Sequence, residues 1–394
     1  MGIQSIKDLD LKSKRVLIRV DFNVPLDENG NISDDARIKG ALPTIQHAID
    51  QGAKVILMSH MGRPKGKVNK ALSLVPVARR LSELLGSSVN MAPDCIGDEV
   101  KKMVNSLKPG DVLLLENLRF HIGEEKDDPE FAKAVSELGD VYIDDAFATA
   151  HRAAASMVGI TRHIKEKGAG FLMLDEVNYI NKALKDPQRP FAAIVGGAKI
   201  SGKLEVLENL VEKVDKMIIG GGMAFTFVKA LGQDIGKSLV EDDLVAKARE
   251  IMEKAKARGV KLYLPVDCVC APDIKAAQGI VEKTIQEIPA DLMALDIGPA
   301  SSTLFSEALS DCKTIVWNGP MGVFEQKSFA AGTMEIAKKV ASSKALTIVG
   351  GGDTDAALHE SKLSDKVSFV STAGGAFLEM LGGLELPGVK ALES

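Results

Sequence analysis

Arg63, Arg119 and Arg152 each stand just beyond a short apolar run, with His60 three residues ahead of the first. A guanidinium fork binds a compact phosphate or carboxylate group through two parallel hydrogen bonds. The arginines crowd the first part of the chain. Arg15, Arg19, Arg37, Arg63, Arg79, Arg80, Arg119, Arg152 and Arg162 precede residue 165, and only Arg189, Arg249 and Arg258 follow. In the second part the apolar runs end in Gly196–Lys199 (GGAK), Gly220–Met223 (GGGM), Trp317–Pro320 (WNGP) and Gly350–Asp353 (GGGD). Bare glycine backbone lets a larger phosphorylated ligand come close. Two differently built anion sites imply two ligands and a transfer between them.

Each feature has an ordinary alternative. A single arginine is as often solvated as functional, and GGGD can be a tight turn with Asp353 as a helix cap. Recurrence at corresponding run ends favours a shared anionic pocket. His60 and His151 are candidate phosphate donors or general acids, whereas His47 and His163 read as structural or exposed. Gly197–Lys203 has the spacing of a phosphate-wrapping loop but continues into Leu204, and Gly232–Ser238 is one residue short. Both are rejected as Walker motifs. Lys199, Lys203 and the helix start behind them can still meet phosphate oxygens. Asp353 could ligate magnesium, Thr354 could donate a hydroxyl, and Glu325, after Trp317–Phe324, could accept from ribose hydroxyls.

These groups need a scaffold of strands alternating with helices. Strands are expected at Arg15–Asp21, Lys54–His60, Asp111–Asn117, Val141–Phe147, Phe191–Gly196, Lys216–Gly220, Lys261–Val269, Leu292–Ile297, Lys313–Asn318, Leu346–Gly350 and Val367–Thr372. Amphipathic stretches such as Asp128–Leu138, Lys203–Val214 and Asp243–Ala257 lie between them. Continuous apolar runs in a βαβα rhythm mean parallel sheets covered on both faces, with ligands beyond the carboxyl ends of the strands. The expected fold class is α/β, with two Rossmann-like domains joined by a helix and hinge. Their bounds are 1–170 and 186–372, the helix is 171–185, and the tail 373–394 is expected to return to the first domain.

The 394 residues exceed one typical core, and 45% apolar with 26% charged composition is that of a soluble globular protein. A net charge of −5 speaks against general nucleic-acid or anionic-membrane binding. Cys95, Cys268, Cys270 and Cys312 are scattered and read as reduced core thiols. With no export signal or membrane-length run, a cytoplasmic location and a monomer are expected.

Taken in order, RVDFNVP, SHMGRP, LENLRF, DDAFATAHR, GGAKISGK, LPVD, DIGP, WNGPMGVFE, GGGDT and STAGGA make the whole chain resemble the phosphoglycerate kinase family. The resemblance implies reversible transfer of the acyl phosphate of 1,3-bisphosphoglycerate to MgADP, giving 3-phosphoglycerate and MgATP. It implies that Asp21 and Asn23 bind the glycerate, that His60, Gly62, Arg63, Arg119 and Arg152 hold its non-transferring phosphate, and that Arg37 sits at the reacting carboxyl. Lys199 would follow the transferring phosphoryl group and Lys203 the nucleotide phosphates. Gly197, Ala198, Gly221, Ala294, Asn318, Pro320, Gly351, Gly352 and Thr354 would line the nucleotide site, Glu325 would meet the ribose, and Asp353 would carry Mg2+. Ala148, Ala154, Gly202, Leu292 and Ala294 depart from the family pattern. Segments 184–190 and 371–375 are expected to act as hinges. An NAD-dependent dehydrogenase is disfavoured by the lack of a G-x-G-x-x-G after the first strand. A clamshell binding protein needs no nucleotide site.

Overall fold

Arg15–Arg19 reads RVLIR, apolar on both faces of a strand, so it can lie only inside a sheet covered on both sides. In the computed structural model, which describes residues 2–393, it does. Two compact units are present: Met1–Val177 with Glu385–Ser394, and Asn178–Leu384. The boundary falls inside the helix Phe171–Lys185.

The sheet of the first unit contains β1 (Arg15–Arg19), β2 (Lys54–Met58), β3 (Val89–Met91), β4 (Val112–Leu114), β5 (Val141–Asp144) and β6 (Lys167–Ala169). Their order is β3-β4-β2-β1-β5-β6, and every pair is parallel. Arg19 is in register with both Met58 and Asp144, so β1, β2 and β5 end together. Val16, Ile18, Val55, Leu57, Val112, Leu114 and Ile143 form the core on one face, packed against the helices Ala36–Asp50 and Val75–Leu85. Each fully buried aliphatic side chain contributes about 1.5–3 kcal/mol.

In the second unit β7 (Phe191–Val195), β8 (Lys216–Ile219), β9 (Lys261–Tyr263), β13 (Thr314–Asn318), β14 (Leu346–Gly350) and β15 (Phe369–Ser371) form another parallel sheet, ordered β15-β14-β13-β7-β8-β9. Asn318 pairs with Val195 on one side and Gly350 on the other, so three strand ends again coincide.

Sequence patterning is incomplete in three places. The run Lys261–Val269 is two strands: Pro265, which lacks a backbone donor, lies between β9 and β10 (Asp267–Ala271). β10 joins β11 (Val281–Thr284) and β12 (Met293–Ile297) in a separate antiparallel sheet, whereas Leu292–Ile297 was expected in a parallel one. β3, β6 and β11 are three or four residues long, too short for a periodic signal. The tail also divides later than expected. The helix Gly374–Leu381 packs on Leu204–Leu210 of the second unit, and only from Glu385 does the chain belong to the first.

At the end of β5, Asp144 and the following Asp145 are buried, and Oδ2 of each has no hydrogen-bond partner among the described residues. Burial pushes Asp144 up to about 7 and Asp145 up to about 8. An acid whose folded value is raised binds more protons folded than unfolded, so stability falls as pH rises from the unfolded value of 3.8 through the folded one. The melting temperature should therefore drop between about pH 5.5 and about pH 8.5, and Asp145→Asn should make that drop shallower. An equally steep drop in the variant would contradict the assignment to Asp145.

Candidate active site

Residues following β1, β2, β4 and β5 emerge on one sheet edge and are bonded to one another. After β1, Asp21 Oδ2 accepts from Arg37 Nη1 at 2.7 Å, and the same nitrogen donates to the Asn23 carbonyl at 3.2 Å. Asn23 Oδ1 accepts from the Gly62 amide at 2.9 Å. After β4, the buried Asn117 donates to the Met61 and Leu72 carbonyls, pinning the 61–72 loop beside the turn Leu118–Phe120. That turn carries Arg119, whose Nη1 donates to the Gly62 carbonyl at 2.8 Å and whose Nε lies 3.5 Å from Glu125. Asp21, Asn23, Arg37, Gly62 and Arg119 are thus one hydrogen-bonded group.

His60 lies in the same group, only 3% exposed. Burial, then the charges of Arg19, Arg119, Arg37 and Arg152, hold its imidazole well below the ordinary value. It is neutral, which removes it as a general acid and leaves it as a hydrogen-bond donor. Arg152 lines a pocket of about 260 Å³ with Arg19, Arg119, Glu124, Thr149 and Ala154. Arg63 follows Gly62 directly, but its side chain is exposed and makes no hydrogen bond or ion pair among the described residues. Sequence reading passed over Arg19. Its signal was an arginine ending an apolar strand, a position where a charge has to find buried partners.

At the corresponding edge of the second unit the glycine-ended loops interlock. The Gly196 amide donates to the Asn318 carbonyl, the Gly197 amide to the Pro320 carbonyl and the Gly221 amide to the Met321 carbonyl. A Cβ on Gly319 would sit 2.3 Å from the Gly196 oxygen, and Gly319 has φ +96°, so only glycine fits. Asn318 Nδ2 donates to the Gly350 carbonyl, and the Gly319 amide donates to Thr354 Oγ1. Trp317, fully buried, donates through Nε1 to the Gly319 carbonyl. Asn318 Oδ1 is buried without a partner. Ala294 pairs with Cys270 in the antiparallel sheet, and the neighbouring Leu295 carbonyl accepts from the Val323 amide. Glu325 is exposed beside a pocket of about 430 Å³ that also involves Phe324, Met334 and Glu360.

Lys203 and the turn before it are already engaged. Lys203 Nζ donates to the Gly196 carbonyl at 2.6 Å and the Asn318 carbonyl at 3.2 Å, tying β7 to β13. Burial brings its ammonium down to about 8, against which Asp353 acts. The amides of Ile200 and Ser201, expected to face phosphate, donate to Glu241 Oε2 at 2.6 and 3.1 Å. A carboxylate from forty residues away takes the anion position, which sequence spacing could not reveal. Lys199, one residue earlier, is exposed and makes no hydrogen bond or ion pair. Asp353, also exposed and without an ion pair among the described residues, stands in the first turn of the helix Gly352–Glu360, whose cap is Gly351.

Comparison with known proteins places the chain in a family. The family model described as phosphoglycerate kinase matches residues 6–384. A phosphoglycerate kinase of Geobacter metallireducens is 59% identical, covering 100% of this chain and 99% of the relative, and one from Nitratiruptor sp. is 56% identical with the same coverage. The solved phosphoglycerate kinase from Coxiella burnetii superposes with TM-score 0.93 at 46% identity over 99% of each chain. That from Pyrococcus horikoshii gives 0.85 at 33% identity, covering 100% of this chain and 98% of its own. The dehydrogenase alternative gains nothing from these matches, and β1 runs into Asp21-Phe22-Asn23 in place of a glycine loop. The chain belongs to the phosphoglycerate kinase family, enzymes that move a phosphoryl group to and from the carboxyl group of 3-phosphoglycerate.

Proposed function

We propose that the arginine cluster of the first unit holds 3-phosphoglycerate or 1,3-bisphosphoglycerate and the glycine cradle of the second holds MgADP or MgATP. The observation that carries this reading is that four guanidinium charges converge on His60. That concentration of positive charge suits a ligand carrying phosphate and carboxylate together. His60, Gly62, Arg63, Arg119 and Arg152 take the non-transferring phosphate, with Arg63 turning in from solvent. Asp21 and Asn23 bind the glycerate, and Arg37, already held by both, meets the reacting carboxyl.

In the second unit Gly197, Ala198, Gly221, Ala294 and Pro320 line the nucleotide, and Glu325 meets its ribose. The unpartnered Asn318 Oδ1 is an acceptor a bound donor would satisfy. Gly351, Gly352 and the hydrogen of Thr354, whose oxygen is taken by Gly319, serve the phosphates. Lys203 has one N–H left after its two carbonyl bonds, enough for a phosphate oxygen. Asp353 fits Mg2+ in donor chemistry: an exposed, unpaired carboxylate that can join phosphate oxygens and water around a hard cation. The metal, when bound with the nucleotide, neutralises phosphate charge.

A phosphate or carboxylate oxygen is already an anionic nucleophile at neutral pH, so no general base is needed. What this chain supplies is alignment and positive charge for the transferring group, from Arg37 and Lys199. The exposed Lys199 is free to follow it. The reacting groups must meet. The segments 184–190 and 371–375 expected as hinges both fall inside the second unit, so the proposed bending lies where the units divide, at 177–178 and 384–385. A radius of gyration unchanged by saturating both ligands would exclude such bending. A cytoplasmic monomer completes this reading, supported by four buried free cysteines.

A coupled assay with 3-phosphoglycerate and MgATP should show kcat lowered by ~10²–10³ in Arg37→Ala and in Lys199→Ala. Near-wild-type turnover in both would overturn their roles. Lys203 gives a pH signature. Free Lys203 loses its proton through about 8, and a bound phosphate pulls it back to the cation. ADP binding should therefore weaken as pH rises past that value and take up a proton at about pH 8.5. Calorimetry in two buffers of different ionisation heat measures that uptake, and it should vanish in Lys203→Met.

A further inference from the structure

A guanidinium only donates hydrogen bonds. Arg19 Nη2 lies 3.1 Å from His60 Nδ1, so Nδ1 accepts, and the neutral ring carries its hydrogen on Nε2. Behind Arg19 the chain continues. Arg19 Nε donates to Ser156 Oγ at 2.9 Å, and Ser156 Oγ donates to Glu124 Oε1 at 2.6 Å. Glu124 Oε2 accepts from the Ser156 amide at 3.0 Å. Glu124, Ser156, Arg19 and His60 are all buried, at 1%, 0%, 1% and 3% exposure. In so dry a place every donor needs its acceptor.

The two ends of this chain differ in kind. Arg19 Nε can only donate, so Ser156 must offer it a lone pair and point its own hydrogen at Glu124. Were Ser156 reversed, Arg19 Nε would face a hydrogen and be left buried and unmet. We propose that Glu124 and Ser156 are positioning residues which, through Arg19, hold His60 as the Nε2–H tautomer, a neutral donor to the anionic ligand of the first unit. This rests on the reading of His60 as a ligand-binding residue. The charged groups around the ring are Arg19 from β1, Asp21 at 4.0 Å, Arg37, Arg119 and Arg152. The arginines all oppose a second ring proton. Ligand binding at this position needs no proton movement.

Nitrogen-15 NMR of the imidazole nitrogens in the full chain, assigned with His60→Gln, tests the proposal. In wild type His60 should show the Nε2–H tautomer and stay neutral well below the pH at which an ordinary imidazole takes up its second proton. An Nδ1–H ring or a cation at neutral pH would overturn the proposal. Ser156→Ala should mix the tautomers and raise KM for 3-phosphoglycerate about tenfold, with kcat and KM for MgATP within roughly twofold. Glu124→Gln, of equal size, should do the same, and decides the matter if Ser156→Ala does not fold. Wild-type tautomer and KM in folded variants would sink the inference alone. His60→Ala with unchanged KM would instead sink the ligand role of His60.

Discussion

In a parallel sheet every strand ends on the same side, and the backbone groups past each end have no ladder to join. Both units are built around that constraint. In the first the vacancies are filled by side chains: Asn23 takes the Gly62 amide, Asn117 donates to two carbonyls, and Arg119 reaches the Gly62 carbonyl. In the second they are filled by backbone, with loops 196–197, 220–221 and 319–321 bonded directly to one another. One rule of topology yields a charged pocket in one unit and a bare cradle in the other.

Concentrating guanidinium groups without a ligand has a cost, since like charges repel and burial penalises Arg19 and Arg119. The first unit offsets it with carboxylates set just outside the cluster. Asp21 holds Arg37, Glu125 approaches Arg119, and Glu124 anchors Ser156 behind Arg19. A bound phosphate would add the negative charge that these acids supply only in part. The second unit solves the opposite problem. Glu241 quiets the amides at 200–201, and Lys203 is spent largely on carbonyls, whereas Lys199 and Asp353 have no ion pair among the described residues.

Where a residue's position depended on its place after a strand, the sequence was readable. His60, Gly62, Arg119 and Asn23 come together because their strands end in register, and run ends can be marked on a bare sequence. Roles that depend on a distant partner were not readable. Glu241 lies far along the chain from the turn it caps, Ser156 from Arg19, and neither separation has a period. The antiparallel β10–β12 sheet escaped for a related reason. A short apolar run such as Met293–Ile297 has the same composition in either kind of sheet. Arg63 marks the reverse failure, since its neighbours join the cluster while its own side chain stays in solvent.

Trp317 is the chain's single tryptophan. It lies at the end of β13, sealed from solvent, with its ring nitrogen tied to the backbone of the glycine that shapes the cradle. Indole emission responds to polarity and hydrogen bonding, so this molecule's intrinsic fluorescence is an optical window on one unit alone. Excited selectively, the indole reports changes around β13 directly, while the arginine-bearing unit, whose one tyrosine is Tyr142, stays silent.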